Sequence, residues 1–467
     1  MNKIVVFLKT SFVYFVGNIS AKLITLILLP LYTAYLSPSD FGAYDYVMTI
    51  ISFVAPICFF QVWDAMYRFS FDQKSVDKFE KVITNTYIIF GIGLLFYTLI
   101  IGAVEFYISI ENLELIYLTG VGLSANYLYT YLARAFRNNI LFSISGFFNS
   151  LIIGGSTYYL VAQTDLGIKS LYIAFILGAI TQCVIIHFYI RPFRYFSSKF
   201  YNSKIVIEML KFSMPLCVAS ISYWLLSGFT KFSVVNLVGS YENGLYAVAN
   251  RLANILNTIV LIFQFAWNEI AYIVSKDDGH MELYSKSITY LSFFVFAGGS
   301  FLIIFSRLIF AYFINPIYND TLLYLPLAIL GVSLNAIAGF MSIIFMAEKK
   351  TKFILWSTGM AALFNCVLSI FLTPIYGLYG ALIALSISFF ILMISRLLFL
   401  KINLSLSIEP AILYGVAIFI ITCILYYMNI AQIYLYLYGC IIVFVTCYLR
   451  WKDIFNIFTS IRRNLRG

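Results

Sequence analysis

Charge is scarce in this 467-residue sequence. Lysine and arginine number 30 and aspartate and glutamate 20, so 11% of positions are charged, against about 25% in a soluble domain. So little polar surface excludes an ordinary water-soluble globular chain. Histidine is scarcer still, with only His187 and His280. The seven cysteines (Cys58, Cys183, Cys217, Cys366, Cys423, Cys440 and Cys447) all fall inside apolar runs, and none forms a CxxC pair. They read as small packing residues, not disulfides or metal ligands. No glycine-rich phosphate loop is present, which argues against an ATPase. Long polar segments are missing too. The longest, Trp63 to Lys81, is far too small for a catalytic domain, so no catalytic residues, metal or resident cofactor are expected.

What fills the chain is hydrocarbon. Hydrophobic residues make up 62% of it, and apolar runs of about 20 residues recur, the length that crosses roughly 30 Å of acyl chain as a helix. Barrel strands would alternate instead. The spacing predicts an all-α integral membrane protein with about fourteen transmembrane helices, near 11–36, 42–62, 82–103, 115–134, 143–163, 168–190, 210–237, 244–273, 287–314, 321–346, 353–374, 378–400, 410–428 and 433–449. The first run is too long for a signal peptide and lacks a small-residue cleavage site.

The cations then sort by side. With the N-terminus placed in the cytoplasm, the inward segments hold 25 of the 30. The outward loops keep Lys169 alone, beside Glu105, Glu111, Glu114, Asp165, Glu242 and Asp320. The positive-inside rule thus predicts cytoplasmic N- and C-termini and an even number of spans. The net charge of +10 is explained by this orientation signal, and no nucleic-acid partner is expected.

Three matches point to an internal duplication. Leu36-Ser-Pro-Ser-Asp40-Phe-Gly42-Ala-Tyr44 parallels Val238-Gly-Ser-Tyr-Glu242-Asn-Gly244-Leu-Tyr246. Asn149-Ser-Leu with Gly167-Ile-Lys-Ser-Leu-Tyr-Ile-Ala174 parallels Asn365-Cys-Val with Gly377-Leu-Tyr-Gly-Ala-Leu-Ile-Ala384. Phe60-Gln61-Val-Trp63-Asp64 parallels Phe263-Gln264-Phe-Ala-Trp267-Asn268. Glycine suits the tight turn, the acid a helix start, and tyrosine the interface. Each unit holds six spans, an even number, so both enter from the same side. The expectation is two six-helix lobes, 1–195 and 205–402, related by a pseudo-two-fold axis along the membrane normal, with a central cavity between them. Two further helices (408–450) and a basic cytoplasmic tail (451–467) follow.

Polar residues inside the spans mark the candidate site. Span eight carries Asn250, Asn254, Asn257, Gln264 and Asn268 on one helical face, a stripe that is unfavourable against lipid and is expected to line water or another helix. Span seven has Ser213, Ser220, Trp224, Ser227 and Lys231, span one Ser11, Asn18, Lys22 and Thr25, and span four Tyr127, Tyr131 and Arg134; the serines serve equally well as interhelical glue. Lys22 lies near mid-bilayer, where a cation is disfavoured by roughly 2.5 to 3.5 kcal/mol on the insertion scale. Lys231, Arg251 and Arg307 lie further out, within snorkelling reach. An excess of cations implies an anionic cargo, phosphate or pyrophosphate above all. The candidate cargo residues are Lys22, Arg251, Lys231, Asn254, Asn257, Asn18, Arg68 and Arg134. Asp64, Glu269 and Asp45, the acids nearest the span ends, either balance these cations or couple ions, with interfacial capping as the alternative for each.

Lys22, Pro30, Tyr35-Leu36-Ser-Pro-Ser-Asp-Phe-Gly42, Arg68-Phe69, Phe212-Ser-Met-Pro215, Gly244-Leu-Tyr246 and Pro374-x-x-Gly377-x-x-Gly380-Ala381 together resemble the polysaccharide transporter family of bacterial oligosaccharide flippases. That family shares a superfamily with multidrug extruders and the lipid II flippase. The resemblance implies translocation of undecaprenyl-pyrophosphate-linked oligosaccharide repeat units across the bacterial inner membrane by alternating access, for O-antigen, capsule or related glycans. It implies coupling to a proton or sodium gradient and work alongside glycan polymerase machinery. Where such proteins often show an Asp-Arg pair in span seven, this chain has Thr230-Lys231, so the cation is kept without an adjacent acid. A multidrug exporter is the close rival, although its lumen calls for buried acids. A membrane-embedded glycan polymerase is a third reading, set against the short outward loops.

Overall fold

In a computed structural model of the chain, the structure describes residues 27–71, 76–274, 280–404, 406, 411–428, 430 and 432–441. Every regular element among them is helical. In order they are α1 (Pro38–Cys58), α2 (Val62–Phe71), α3 (Val76–Tyr107), α4 (Leu113–Ala135), α5 (Asn139–Gln163), α6 (Lys169–Ile190), α7 (Ser203–Leu237), α8 (Ser240–Val274), α9 (His280–Phe313), α10 (Thr321–Ala347), α11 (Lys352–Leu404) and α12 (Ala411–Tyr427). Among the described residues eight are long and apolar enough to cross a membrane: α1, α3 over Phe79–Tyr107, α5, α6, α7, α9, α10 and α11. The expected tail (451–467), Lys22 and Asn18 lie outside the described residues.

Caps end the helices where the sequence supplies polar side chains. Ser37 accepts the Asp40 N–H while its hydroxyl bonds the Asp40 carboxylate, and Pro38 takes the first position of α1, which needs no N–H of its own. Asn138 caps α5 and Asn202 caps α7 in the same manner.

Two departures from the sequence reading matter for the site. The segment from Trp63 to Lys81 is not a plain loop, because α2 runs through its first half and α3 begins at Val76. Phe60 and Gln61 adopt left-handed backbone (φ 56° and 44°), a conformation disfavoured for residues with a Cβ, and this break re-aims the chain between α1 and α2. The α11 element is likewise two arms. Its backbone leaves the helical region at Gly377 (φ 58°, ψ −138°). The chain doubles back there, for a Cβ on Gly380 would lie 2.0 Å from the Leu372 carbonyl oxygen. The expected spans eleven and twelve meet at this turn.

The described residues form two compact units. One is drawn from Met1–Val248 and Thr358–Leu385, the other from Ala249–Ser357 and Ser386–Gly467. The first is built around α2, whose Val62, Trp63, Ala65 and Met66 are buried with Val82, Ile83 and Tyr97 of α3, Leu128 and Leu132 of α4 and Met209 of α7. The outer face of α3 stays apolar and exposed, as at Leu95 and Leu99, which suits contact with acyl chains. In the second unit α9 and α10 supply most of the buried surface, and Gly415 lets α12 approach the α9 backbone at Phe293.

The duplicated glycines meet each other inside the first unit. A Cβ on Gly42 would lie 1.9 Å from the Ser240 carbonyl oxygen, and a Cβ on Gly244 1.9 Å from that of Pro38. Ser240 and Gly244 stand 202 residues after Pro38 and Gly42 (240 − 38 = 244 − 42), so the contact is reciprocal, as a local two-fold axis demands. Asn243 adds a bond from its side-chain amide to the Gly42 carbonyl at 2.7 Å. Neither backbone can retreat without opening this crossing. Gly42→Ala and Gly244→Ala should each cost about 1–3 kcal/mol and lower the melting temperature of the detergent-purified protein, whereas Gly155→Ala, with open space at its Cβ, should leave it unchanged.

Candidate functional site

The break at Phe60 and Gln61 places Trp63, Asp64, Tyr67 and Arg68 of α2 against α4 and α7. The half-buried Asp64 carboxylate accepts hydrogen bonds from the Tyr131 hydroxyl and the Trp63 indole N–H, with the Arg134 guanidinium beside it. Tyr127, Tyr131 and Arg134 come from successive turns of α4, where offsets of three and four share a face. The Trp63 indole stacks on Tyr127 at 5.1 Å between centroids. Arg134 lies over the Tyr67 ring at 4.8 Å and the Tyr131 ring at 5.2 Å, an arrangement that suits a planar guanidinium.

In front of this group opens a recess of about 420 Å³ lined by Asp64, Tyr67, Arg68, Phe212 and Leu216. Arg68 is exposed at its edge, and Phe69 meets Phe212 edge-on at 6.1 Å. Burial pushes the Asp64 carboxyl above the ordinary carboxylate range, while Tyr131, Arg134 and Trp63 stabilise the charged form and oppose that rise. Chemically the recess offers a cation, aromatic faces and a carboxyl whose neutral form burial favours.

A second polar cluster lies along α1 and α7, also in the first unit. Lys231 Nζ reaches the Asp45 carboxylate at 2.7 Å and donates to Thr49 Oγ1 at 3.2 Å. Both charged side chains are only about one-sixth exposed (15% and 16%), so screening is weaker than on an open surface. The Trp224 indole donates to the Thr49 carbonyl and stacks on Phe53, and Gln61 donates to Ser220. The acid missing beside Lys231 in span seven is thus supplied by span two. Of the roles open to Asp45, the structure shows it balancing Lys231.

The span-eight residues belong to the second unit from Ala249 onward. Arg251, Asn254 and Asn257 are half-buried on α8. Asn254 spends its amide on the Asn250 carbonyl and side-chain oxygen, at 2.7 and 3.0 Å, so part of the stripe bonds within its own helix. The Glu269 side chain lies outside the described residues. Of the sequence candidates, then, Asp64 and Arg68 line the recess with Arg134 beside Asp64 behind it, Asp45 and Lys231 pair on α1 and α7, and Arg251, Asn254 and Asn257 share one helix.

Two arginines depart from the sequence reading. Arg396, sorted there among the inward orientation charges, is 4% exposed. It donates to the Ala338 carbonyl at 2.6 Å, Ser342 at 2.7 Å and Ser357 at 3.1 Å, so its fork of donors clips α10 to both arms of α11. Arg307 donates to the Tyr426 carbonyl at 3.1 Å and lies over its ring, holding α9 to α12. Each sits inside an apolar run, the one signal that set them apart. Trp63 and Tyr67 carried no such signal, being aromatic in a chain with 19% aromatic residues.

The family model described as "Polysaccharide biosynthesis protein" matches residues 7–267. No curated protein sequence matches the chain. Among solved structures, "Lipid II flippase MurJ, inward closed conformation" superposes with a TM-score of 0.74 at 15% identity, covering 95% of this chain and 99% of that one. An inward-facing multidrug resistance MATE family transporter of the MOP superfamily gives 0.65 at 14% identity, covering 88% and 96%. An outward-facing one gives 0.60 at 15%, covering 85% and 95%. The helical architecture is therefore that of these proteins over nearly their whole length.

Two measurements follow from the geometry. Since burial favours the neutral form of Asp64, the stability tied to it is present at low pH and lost as pH rises through its raised pKa. Asp64→Asn should flatten the decline in melting temperature from the ordinary carboxylate range towards neutrality. A pH profile parallel to that of the unmodified protein would contradict the assignment. For the α1–α7 pair, a double-mutant cycle of Asp45→Asn and Lys231→Met should return a coupling of about 0.5–3 kcal/mol. Additive effects would mean the contact carries no energy.

Proposed function

Because the chain belongs to the polysaccharide biosynthesis protein family, we propose that it is a flippase that carries undecaprenyl-pyrophosphate-linked oligosaccharide repeat units from the cytoplasmic to the outer leaflet of a bacterial inner membrane. It is a transporter and not an enzyme, and it works by alternating access of its two six-helix lobes in building O-antigen, capsule or a related surface glycan. The observation that carries the reading is the recess on α2 and α7. An exposed Arg68 stands there beside Tyr67 and Phe212, with Arg134 stacked on the Tyr67 ring behind them, a set that suits a pyrophosphate joined to sugar. Guanidinium groups hold phosphate oxygens through charge-assisted bonds, and aromatic faces accommodate sugar rings.

In this reading Arg68 and Arg134 receive the pyrophosphate first. Lys22, Lys231 and Arg251 serve as later stations, and Asn18, Asn254 and Asn257 meet the glycan. Lys231 joins only when its bond to Asp45 is exchanged for one to phosphate. Asp64 is the leading candidate to carry the coupling proton, since a half-buried carboxyl between a tyrosine hydroxyl and an arginine binds or loses a proton according to which neighbour stays close. Asp45 and Glu269 are the further candidates, and the polyprenyl tail stays in lipid.

One observation favours a second reading. Asp64 is a half-buried acid on a partly aromatic recess, which also suits an organic cation, and transporters named for multidrug resistance share the fold. In proteoliposomes, lipid-linked oligosaccharide should cross to the protected leaflet only when the protein is present. Arg68→Gln and Arg134→Gln should each slow it on the order of tenfold, equivalent to loss of about 1.4 kcal/mol of binding. A cationic dye should stay put in the same vesicles. Deletion of the gene should leave repeat units unpolymerised on the cytoplasmic leaflet. Dye export without movement of the lipid-linked sugar would establish the drug exporter, and repeat units that reach the outer leaflet yet stay unpolymerised would point to a polymerase.

A further inference from the structure

Residues 191–202 join α6 to α7, both long and apolar enough to span the bilayer, so they lie at a membrane surface. The segment is fastened along its length to α3. Thr84 and Asn85 of α3 are fully buried. The Thr84 hydroxyl donates to the Tyr195 carbonyl at 3.2 Å and accepts the Ser197 N–H at 3.3 Å. Asn85 donates to the Phe200 carbonyl at 3.2 Å and accepts the Asn202 N–H at 3.0 Å. Two short 3₁₀ turns, Pro192–Tyr195 and Ser198–Phe200, fold between these bonds, and Tyr195 packs edge-on against Phe79. Asn202 then caps α7.

With its backbone held from beneath, the segment presents alternating cations and rings. Arg191, Arg194, Lys199 and Lys204 are exposed, and between them Phe193, Phe196 and Tyr201 remain 60%, 43% and 55% exposed. No acidic residue occurs from 191 to 204. An orientation signal requires only the charges. It does not require a fixed platform, nor bulky rings left open between the charges. Rings of this kind settle at the headgroup level, and lysine and arginine bind anionic headgroups there.

From this juxtaposition we infer that the 191–204 platform is a docking surface for the anionic phospholipid headgroups of the leaflet it faces. The cations are strung out singly with a ring between neighbours, a pattern that suits a sheet of separate headgroups more than one compact diphosphate. Docking would hold the junction between the proposed six-helix lobes at a constant depth. The inference rests on the inward placement that the charge sorting predicts for this loop, and not on the cargo of the proposed function, so lipid binding and lipid-linked sugar transport fail independently.

The test uses the full chain in neutral detergent, titrated with phosphatidylglycerol or phosphatidylcholine and read by melting temperature and by native mass spectrometry. Phosphatidylglycerol should bind on the order of tenfold more tightly. That preference should vanish at about 1 M salt, where screening falls to roughly 3 Å. Joint replacement Arg191→Gln, Arg194→Gln, Lys199→Gln and Lys204→Gln should abolish the preference without changing the melting temperature in phosphatidylcholine, and Arg191→Lys with Arg194→Lys should retain it. Equal binding of the two lipids by the unmodified protein overturns the inference. So does a preference that survives high salt, which also decides the matter if the fourfold variant does not fold. Inorganic pyrophosphate that displaces phosphatidylglycerol at low concentration while matched ionic strength does not would assign the surface to a diphosphate instead.

Discussion

Inside hydrocarbon a polar group has no water to fall back on, so each amide, hydroxyl and charge must find its partner within the protein. That constraint makes the chain helical and then decides where its few charges sit. Lys231 is tolerable within α7 because Asp45 and Thr49 meet it from α1. Arg396 is tolerable because carbonyl and hydroxyl oxygens of α10 and α11 occupy its donors. Thr230 and Asn365 satisfy each other, and Asn365 also bonds the Leu225 and Leu226 carbonyls of α7. Polar residues thus act as ties between helices, where lipid offers no hydrophobic drive for association.

The recess is where that rule is relaxed. Asp64 is held by Tyr131 and Trp63 with Arg134 alongside, yet it borders open volume that Arg68 also faces. The two left-handed residues before α2 belong to the same arrangement. A regular continuation of α1 would carry Trp63 and Asp64 to other azimuths, away from Tyr127 and Tyr131. Backbone strain concentrated beside a charged recess is the pattern of a site whose geometry is maintained by its surroundings. The proposed lipid-linked cargo would meet there both the charge that fits its phosphates and a carboxyl whose protonation state sets the local field.

Much of the architecture was legible in the residues. Apolar run lengths marked the helices, and glycine with a nearby acid marked the hairpin ends. The repeat at Gly42 and Gly244 proved to be a pair in contact, reciprocal to the atom. Less could be read of the site. Asp64, Arg68 and Arg134 were all singled out, but nothing in the sequence showed that Asp64 and Arg68 share one recess with Arg134 beside Asp64. Nor did the amide stripe on α8 reveal that Asn254 would satisfy itself on Asn250, because side-chain rotamers within one helix compete with partners on the next.

The sequence by itself determined that this is a helical membrane protein, since run length and apolar periodicity are local properties set by the bilayer. Only the tertiary structure decided which charges are paired and which face open volume. Asp45 and Lys231 lie 186 positions apart (231 − 45), and α2 owes its direction to two strained residues and to packing against α4. Contacts between distant segments depend on how helices cross, and that crossing is fixed by backbone approach at glycines and by the shapes of buried rings, neither of which a one-dimensional pattern records.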